Sequence, residues 1–309
     1  MVTQKKSTRL SDKQKAEIAD RLLTLERRFE IKNAKKVAAE FGVSPNLIIQ
    51  LKKKLSLPWQ VAYDIPSLVK LMNMMEAESE QLFKVKIRQI DGKAVYCRSK
   101  TSDKFLLHSA FNVQFHIPPF EIMKDKAGTI LDLGSNVGYT MVHYKHLYPK
   151  ARVIGVEMDE SNFEILKMNM AQFKNWEAVH GAIWTSDGTI DYSGQDEETL
   201  AIQGIDPLND ALNLPRRSSK SYSIQSILDK YNVDRVDFMK MDIEGAEIPI
   251  FDEDLSWLER IQSMHVEVHN PEVNTSKNDY TRMVMEKAQR SGFHCEKDSR
   301  HWSAFFGYR

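Results

Sequence analysis

The distribution of apolar residues changes period along the chain, and from Thr129 onward it does so regularly. Short apolar runs such as T-I-L-D-L and R-V-I-G-V-E, bounded by Gly, Asp and Asn, alternate with stretches whose apolar positions recur every three or four residues. The first pattern marks buried strands and the second amphipathic helices. It predicts strands over 129–134, 152–157, 177–184 and 236–242. It predicts helices over 137–147, 160–173, 223–231 and 280–290, and closing strands over 292–295 and 302–308. Alternation of this kind implies a doubly wound, mostly parallel α/β sheet that binds ligand at the carboxyl ends of its strands. Residues 195–220 are polar, contain proline and show little periodicity, so a substrate-covering loop or an insertion is expected there.

Upstream the pattern differs. Phe83 to Arg98 alternates around Asp91-Gly92, a strong hairpin signal, and an apolar run over 105–115 reads as a further strand. Ser11 to Ile31 carries Ile18, Leu22, Leu25 and Phe29 at near-helical spacing, with Ser11 as an N-cap. The stretch Ala38-x-x-x-Gly42-Val43-Ser44-Pro45, followed by Leu47 and Ile48, is similar to a helix-turn-helix: a small residue for close contact, a glycine to turn, a serine cap and a proline at the first helical position. We therefore expect a small all-α domain over 1–57, a linker and Met-rich helix over 58–82, and a hairpin-bearing catalytic domain over 83–309 with its core at 129–309.

Charge reinforces that division. The formal net charge is zero, yet Met1 to Leu57 holds 14 Lys and Arg against 6 Asp and Glu, while the remainder holds 29 against 37. The basic segment suits a nucleic acid or a protein partner; Asn46 and Gln50 would face base edges and Lys52, Lys53 and Lys54 phosphates. A lysine run at a helix end is equally a solvated complement to the helix dipole. Two cysteines, Cys97 and Cys295, match no zinc spacing, and neither a signal peptide nor an 18-residue apolar run is present. A cytoplasmic protein without a membrane span is expected.

The candidate chemistry starts at Ile130 to Gly138, I-L-D-L-G-S-N-V-G, where a strand enters a glycine turn that a helix follows. The spacing D-x-G-x-x-x-G differs from the dinucleotide fingerprint, and an acidic residue, Glu157, closes the next strand. Together these favour S-adenosylmethionine over NAD. Gly134 and Gly138 would admit the ligand's amino-acid tail, free N–H groups near Val137 would meet its carboxylate, and Glu157 would accept both ribose hydroxyls. Asp132 would orient the turn or the ligand's amino group. Ser135, Asn136 and Met158 complete the expected cradle, and Ala182 and Ile183 would adjoin the adenine, with Trp184 either stacked on it or part of the core.

Four pieces in order carry a family resemblance: T-S-D at 101–103, L-D-L-G-S-N-V-G at 131–138, K-M-D-I-E-G-A-E at 240–247 and V-E-V-H at 266–269. From about Phe83 onward the chain resembles the FkbM family of S-adenosylmethionine-dependent methyltransferases. The resemblance implies a class I, Rossmann-like fold and O-methylation of a sugar, glycan or natural-product hydroxyl. Asp242 and His269, at adjacent strand tips, are the candidate general bases, with Glu244 and Glu267 flanking them. Lys240 would pair with Asp242 or bind a substrate acid group. Asp103 and His108 are acceptor-side candidates on the resemblance alone. Carboxylates beside a histidine also suit a divalent ion, but the spacing is generic and no metal site is assigned. A ribose methyltransferase or DNA-bound regulator using the basic segment is the alternative reading. It is narrowed by the absence of N-P-P-Y, D-P-P-Y and Pro-Cys elements for base methylation.

Overall fold

The computed structural model describes residues 10–15, 17, 18, 34–55, 73, 77–120, 122, 128–193, 201, 202, 216–269 and 279–309. The chain divides into two compact units, Met1–Val113 and Gln114–Arg309.

In the first unit, Ser11 caps a helical turn reciprocally: its hydroxyl accepts from the Gln14 N–H at 3.3 Å, and the Gln14 side chain accepts from the Ser11 N–H at 3.0 Å. This is a capping box. The rest of the helix expected to reach Ile31 lies outside the described residues, as does most of the Met-rich helix expected over Leu68 to Glu80; at its expected end, Ala77 to Glu80 are not helical. Helices α1 (Ala34–Glu40) and α2 (Pro45–Leu55) are joined by a turn at Gly42, whose φ is +64°. Ser44 caps α2 by accepting from the Leu47 N–H at 3.2 Å. Strands β1 (Leu82–Lys86) and β2 (Ala94–Arg98) form the expected antiparallel hairpin, with Asp91 and Gly92 both at positive φ in its connection.

The strand expected over 105–115 is instead helix α3 (Asp103–His108) and a further helical turn. Asp103, Leu107 and Phe111 are all fully buried and four apart, whereas Phe105 is 49% exposed. The mixed run F-L-L-H-S-A-F concealed a helical period.

The second unit is built on strands β3 (Thr129–Leu133), β4 (Arg152–Glu157), β5 (Trp176–His180), β10 (Phe238–Met241), β11 (Ser263–Glu267), β12 (His294–Lys297) and β13 (Ala304–Tyr308). They form one sheet in the order β12-β13-β11-β10-β3-β4-β5, parallel from β11 to β5, with β13 antiparallel to both its neighbours. The mostly parallel α/β sheet expected from the sequence is thereby observed. Its connecting helices are α4 (Tyr139–Leu147), α5 (Glu160–Met170), α6 (Ile224–Lys230), α7 (Glu247–Asp252) and α8 (Tyr280–Arg290).

Both faces of the sheet are covered, so every residue of β10 is buried, as parallel sheets require. Leu131, Leu133, Met239, Met241, Met264 and Val266 join a large apolar cluster with α6, α7 and α8. On the opposite face Phe238 meets Tyr144 of α4 edge to face at 5.9 Å.

Two expectations change here. The strand foreseen over 177–184 breaks at Gly181, where a Cβ would come within 2.6 Å of the Tyr222 ring and 2.9 Å of the Lys220 carbonyl. Its second half, β6 (Ala182–Ile183), joins a separate sheet with β7 (Gly188–Ser193), β8 (Ala201–Ile202) and β9 (Arg216–Tyr222), in the order β6-β9-β7-β8. The segment over 195–220, expected to be irregular, thus contributes β8 and most of β9. In β9 the inward positions are Ser219 and Ser221, so an inside–outside alternation exists without apolar residues to reveal it.

Candidate active site

The turn after β3 is tightly self-satisfied. Gly134 and Ser135 donate to the Val156 carbonyl, Asn136 donates to Glu157, Val137 donates to the Asn136 side chain, and Gly138 donates to the Ser135 carbonyl. The free N–H groups expected near Val137 are therefore engaged. The glycines answer to protein neighbours as well. A Cβ on Gly134 (φ +76°) would stand 1.7 Å from the Asp242 carbonyl oxygen, and one on Gly138 (φ +80°) would stand 3.0 Å from Leu166. The close approach at Gly134 locks the turn to the tip of β10.

Asp132 and Lys240 sit side by side in the β3–β10 register, both buried. Asp132 accepts a short hydrogen bond from Thr140, while its Oδ1 has no hydrogen-bond partner and faces Lys240 Nζ at 3.6 Å. Lys240 donates to the Gly134 carbonyl at 3.1 Å and meets Asp242 Oδ2 at 3.1 Å. Its ammonium is held inside the protein, pinning the glycine turn and Asp242 together. Glu157, at the end of β4 and 6% exposed, accepts from the Asn136 and Asp159 N–H groups at 2.8 Å each.

Beside this, His269 follows the end of β11. Its Nδ1 lies 3.1 Å from Glu247 Oε1, and its Nε2 faces Asp242 Oδ1 at 3.8 Å, Glu244 Oε2 at 3.6 Å and Glu267 Oε1 at 3.6 Å. Glu247 is fully buried and also accepts from the Ile243 and Gly245 N–H groups, at 2.9 Å each. One carboxylate thus fixes both the backbone loop after Asp242, where Glu244 and Gly245 take positive φ, and the imidazole. Glu247 also opens helix α7, and the motif K-M-D-I-E-G-A-E carries no signal that its carboxylate turns back onto this loop and His269. His301, which no motif marks either, reaches Glu267 Oε1 at 3.4 Å and lies against Trp302, which is 81% exposed.

The charges interact strongly. Burial raises Asp132 above its ordinary value against the pull of Lys240. Burial would lower Lys240, but Asp242 and Asp132 outweigh it and raise the ammonium's pKa. Burial opposes the ionised form of Asp242 too, yet Lys240 and His269 hold it below its ordinary value. Glu157 is pushed up to about 7 by burial, against two backbone N–H bonds. Glu267 is pushed up to about 8 by burial and then Asp242. Burial would lower His269, but Glu247, Glu244 and Asp242 raise it well above the ordinary histidine value.

The remaining sequence candidates fall elsewhere. Ala182 and Ile183 are buried on β6, and Met158 and Trp184 pack against the apolar cluster. Asp103 belongs to the first compact unit, where both its oxygens are held by Arg98 with Nη2 at 2.8 Å. His108 lies in the same unit.

The family model described as the methyltransferase FkbM domain matches residues 132–295. This chain belongs to the FkbM methyltransferase family. The match spans the glycine turn, the K-M-D-I-E-G-A-E strand end and V-E-V-H, and leaves T-S-D at 101–103 outside. None of the curated proteins matches the chain.

Among solved structures, a fibrillarin pre-rRNA processing protein of Methanococcus jannaschii is 15% identical with a TM-score of 0.39, covering 75% of this chain and 83% of its own. The Aeropyrum pernix fibrillarin with natively bound S-adenosyl-L-methionine is 12% identical with a TM-score of 0.36, covering 74% and 93%. A precorrin-6y C5,15-methyltransferase of Geobacter metallireducens is 13% identical with a TM-score of 0.31, covering 59% and 80%.

As an FkbM methyltransferase, the protein uses S-adenosylmethionine. Its residues suit that cofactor: a glycine turn at the carboxyl end of β3, a carboxylate at the tip of β4, and a buried Asp132 oxygen lacking a hydrogen-bond donor. No helix among the described residues is long and apolar enough to cross a membrane.

Proposed function

We propose that this FkbM methyltransferase methylates a hydroxyl of a sugar, glycan or related natural product, with Glu157, Asp132 and the Gly134–Gly138 turn holding the cofactor. The observation that carries the reading is the meeting of His269 Nε2 with Asp242 and Glu244 at adjacent strand tips, beside that turn. When bound, S-adenosylmethionine supplies an electrophilic methyl on a sulfonium. The chain's own residues have two tasks: to align an acceptor oxygen, which contributes about 7–11 kcal/mol, and to take its proton, worth about 10²–10⁴-fold.

His269 suits the second task. Glu247 holds its Nδ1 as a donor, leaving Nε2 on the side of Asp242, Glu244 and Glu267, where the acceptor proton would arrive. Because the surrounding carboxylates raise its pKa, its basic form accumulates above neutral pH, and the rate should climb with pH on the alkaline side. Asp242, kept ionised by Lys240, is placed to accept a hydrogen bond from the acceptor. Glu157 retains lone pairs on both oxygens for ribose hydroxyls besides the two N–H groups it serves. The exposed Trp302 ring beside His301 and Glu267 supports an acceptor with an apolar ring face, as sugars have.

The test is turnover, measured as S-adenosylhomocysteine release, across a panel of hydroxylated acceptors. His269→Gln and Asp242→Asn should each lower the rate at least about 100-fold while cofactor binding by calorimetry is kept. Retained turnover in both would remove the assigned roles, and loss of cofactor binding by Glu157→Ala would support the cradle.

A second reading, ribose methylation or DNA-bound regulation, is favoured by one observation: the +8 balance of Met1 to Leu57 together with the capped helix α2, on which Asn46 and Gln50 are exposed. Nucleic-acid binding by the full chain that weakens steeply with salt, and is lost on deletion of residues 1–57, would favour it.

A further inference from the structure

One arrangement in the second unit is not accounted for by proton transfer alone. Asp242, Glu244 and His269 each bring one ligand atom to within 4.8 Å of the other two. From His269 Nε2 the oxygens of Asp242, Glu244 and Glu267 stand at 3.8, 3.6 and 3.6 Å. These separations are too long for hydrogen bonds. They approach the edges of a coordination shell: two ligands bound at about 2.0–2.2 Å lie roughly 2.8–3.8 Å from each other as the angle between them runs from about 90 to 120°.

A separate observation concerns the far side of the imidazole. Its Nδ1 is committed to Glu247, a carboxylate outside this group of ligands, fully buried and anchored by two backbone N–H groups. That arrangement fixes the tautomer and aims the Nε2 lone pair at the point where the carboxylates converge, as carboxylate–histidine pairs do behind metal-bound imidazoles. Asp242 divides its work in the same way: Oδ2 meets Lys240, and Oδ1 faces His269.

We propose that Asp242, Glu244 and His269 form a divalent-cation site, with Glu267 as a further oxygen ligand. An imidazole nitrogen among carboxylate oxygens suits a first-row ion such as Mn²⁺ better than Ca²⁺. Asp242, Glu244 and His269 are 23%, 49% and 28% exposed, so one side of the site remains open to water or to an acceptor oxygen. Coordination there would acidify a hydroxyl or hold two neighbouring ones; with the ion bound, Nε2 is a ligand, and the acidified hydroxyl loses its proton to solvent at the open side rather than to His269. That role rests on the methyl-transfer reading, whereas cation binding does not.

The experiment is titration of the full chain with Mn²⁺ in chelator-treated buffer. Uptake is followed by loss of the free-ion paramagnetic resonance signal, with cofactor binding measured calorimetrically on the same samples. Wild type should take up Mn²⁺ saturably. Glu244→Gln, a change at a half-exposed side chain, and His269→Gln should each weaken uptake at least about ten-fold, and Glu247→Gln about 10–100-fold. Glu296→Gln, which alters a carboxylate paired with His294 on β12, should leave it unchanged. No saturable uptake by wild type that binds the cofactor would overturn the site and leave the methyltransferase reading standing. Equal uptake by wild type, Glu244→Gln and His269→Gln would overturn it as well.

Discussion

At the scale of single residues, the glycine turn and the acidic strand tips were legible because each has a backbone or charge signature. Glu247 was not, since nothing in D-I-E-G-A-E distinguishes a carboxylate folded back onto its own loop from one at a helix start. Gly134 illustrates how far the physical reason departs from the expected one: its missing Cβ makes room for the Asp242 carbonyl. Gly134→Ala should therefore destabilise the protein by about 3 kcal/mol or more, combining strain at positive φ with a backbone clash. Gly292→Ala, at φ +93° with nothing within 4 Å of its Cβ position, should cost only about 1 kcal/mol; comparing the two thermal midpoints checks this. Glu157 offers a protonic test. Its folded-state pKa of about 7 lies above the ordinary value, so the stability its bound proton contributes is complete below the ordinary carboxylate range and lost as pH rises through about 7. In the proposed cradle, ribose hydroxyls would donate to its ionised form. Cofactor binding at about pH 6 should accordingly release a proton, seen as a dependence of the calorimetric heat on buffer ionisation enthalpy, and Glu157→Gln should show none.

At the scale of elements, strand β4 and helix α8 have the limits their patterns predicted, because a buried parallel strand and an amphipathic helix each write a single period into the chain. Elements failed to show where burial is carried by polar atoms, as in β9 with its inward serines, or where both sides of a helix are apolar, as in α3. The same limit hid a clamp near the end of β12. Asp298 is nearly buried, meets His265 Nε2 at 3.1 Å, and is gripped by Arg300, whose guanidinium also donates to the carbonyls of Gln114, Phe115 and Ile117. Burial would raise Asp298, but the His265 and Arg300 contacts outweigh it and hold the carboxylate well below its usual range. A depressed pKa contributes stability that is present above the ordinary carboxylate value and lost as pH falls. Wild type should thus lose thermal stability on acidification below about pH 4 more steeply than Asp298→Asn. Arg300→Met should lower stability by about 2 kcal/mol, a figure that allows for Arg300 being 34% exposed.

At the scale of the whole molecule, the proposed cofactor residues, the candidate base and the residues of the large apolar cluster all fall within Gln114–Arg309, and the Arg300 clamp fastens the first residues of that unit. A segment of about 200 residues is long enough to bury its own core, so cofactor binding should belong to it alone. A protein comprising Gln114–Arg309 should bind S-adenosylmethionine within about three-fold of the full chain, a difference below about 1 kcal/mol. Methyl transfer is a separate question, because Asp103 and His108, acceptor-side residues by family resemblance, lie in the other unit. If the shorter protein binds cofactor and also transfers methyl groups to the acceptor used by the full chain, the acceptor contacts reside with Asp242, His269 and Trp302. If it binds cofactor and fails to transfer, the acceptor needs Met1–Val113. Lost cofactor binding in a folded product would show instead that the first unit completes the cofactor site, and would contradict the assignment of that site to the sheet and its tips.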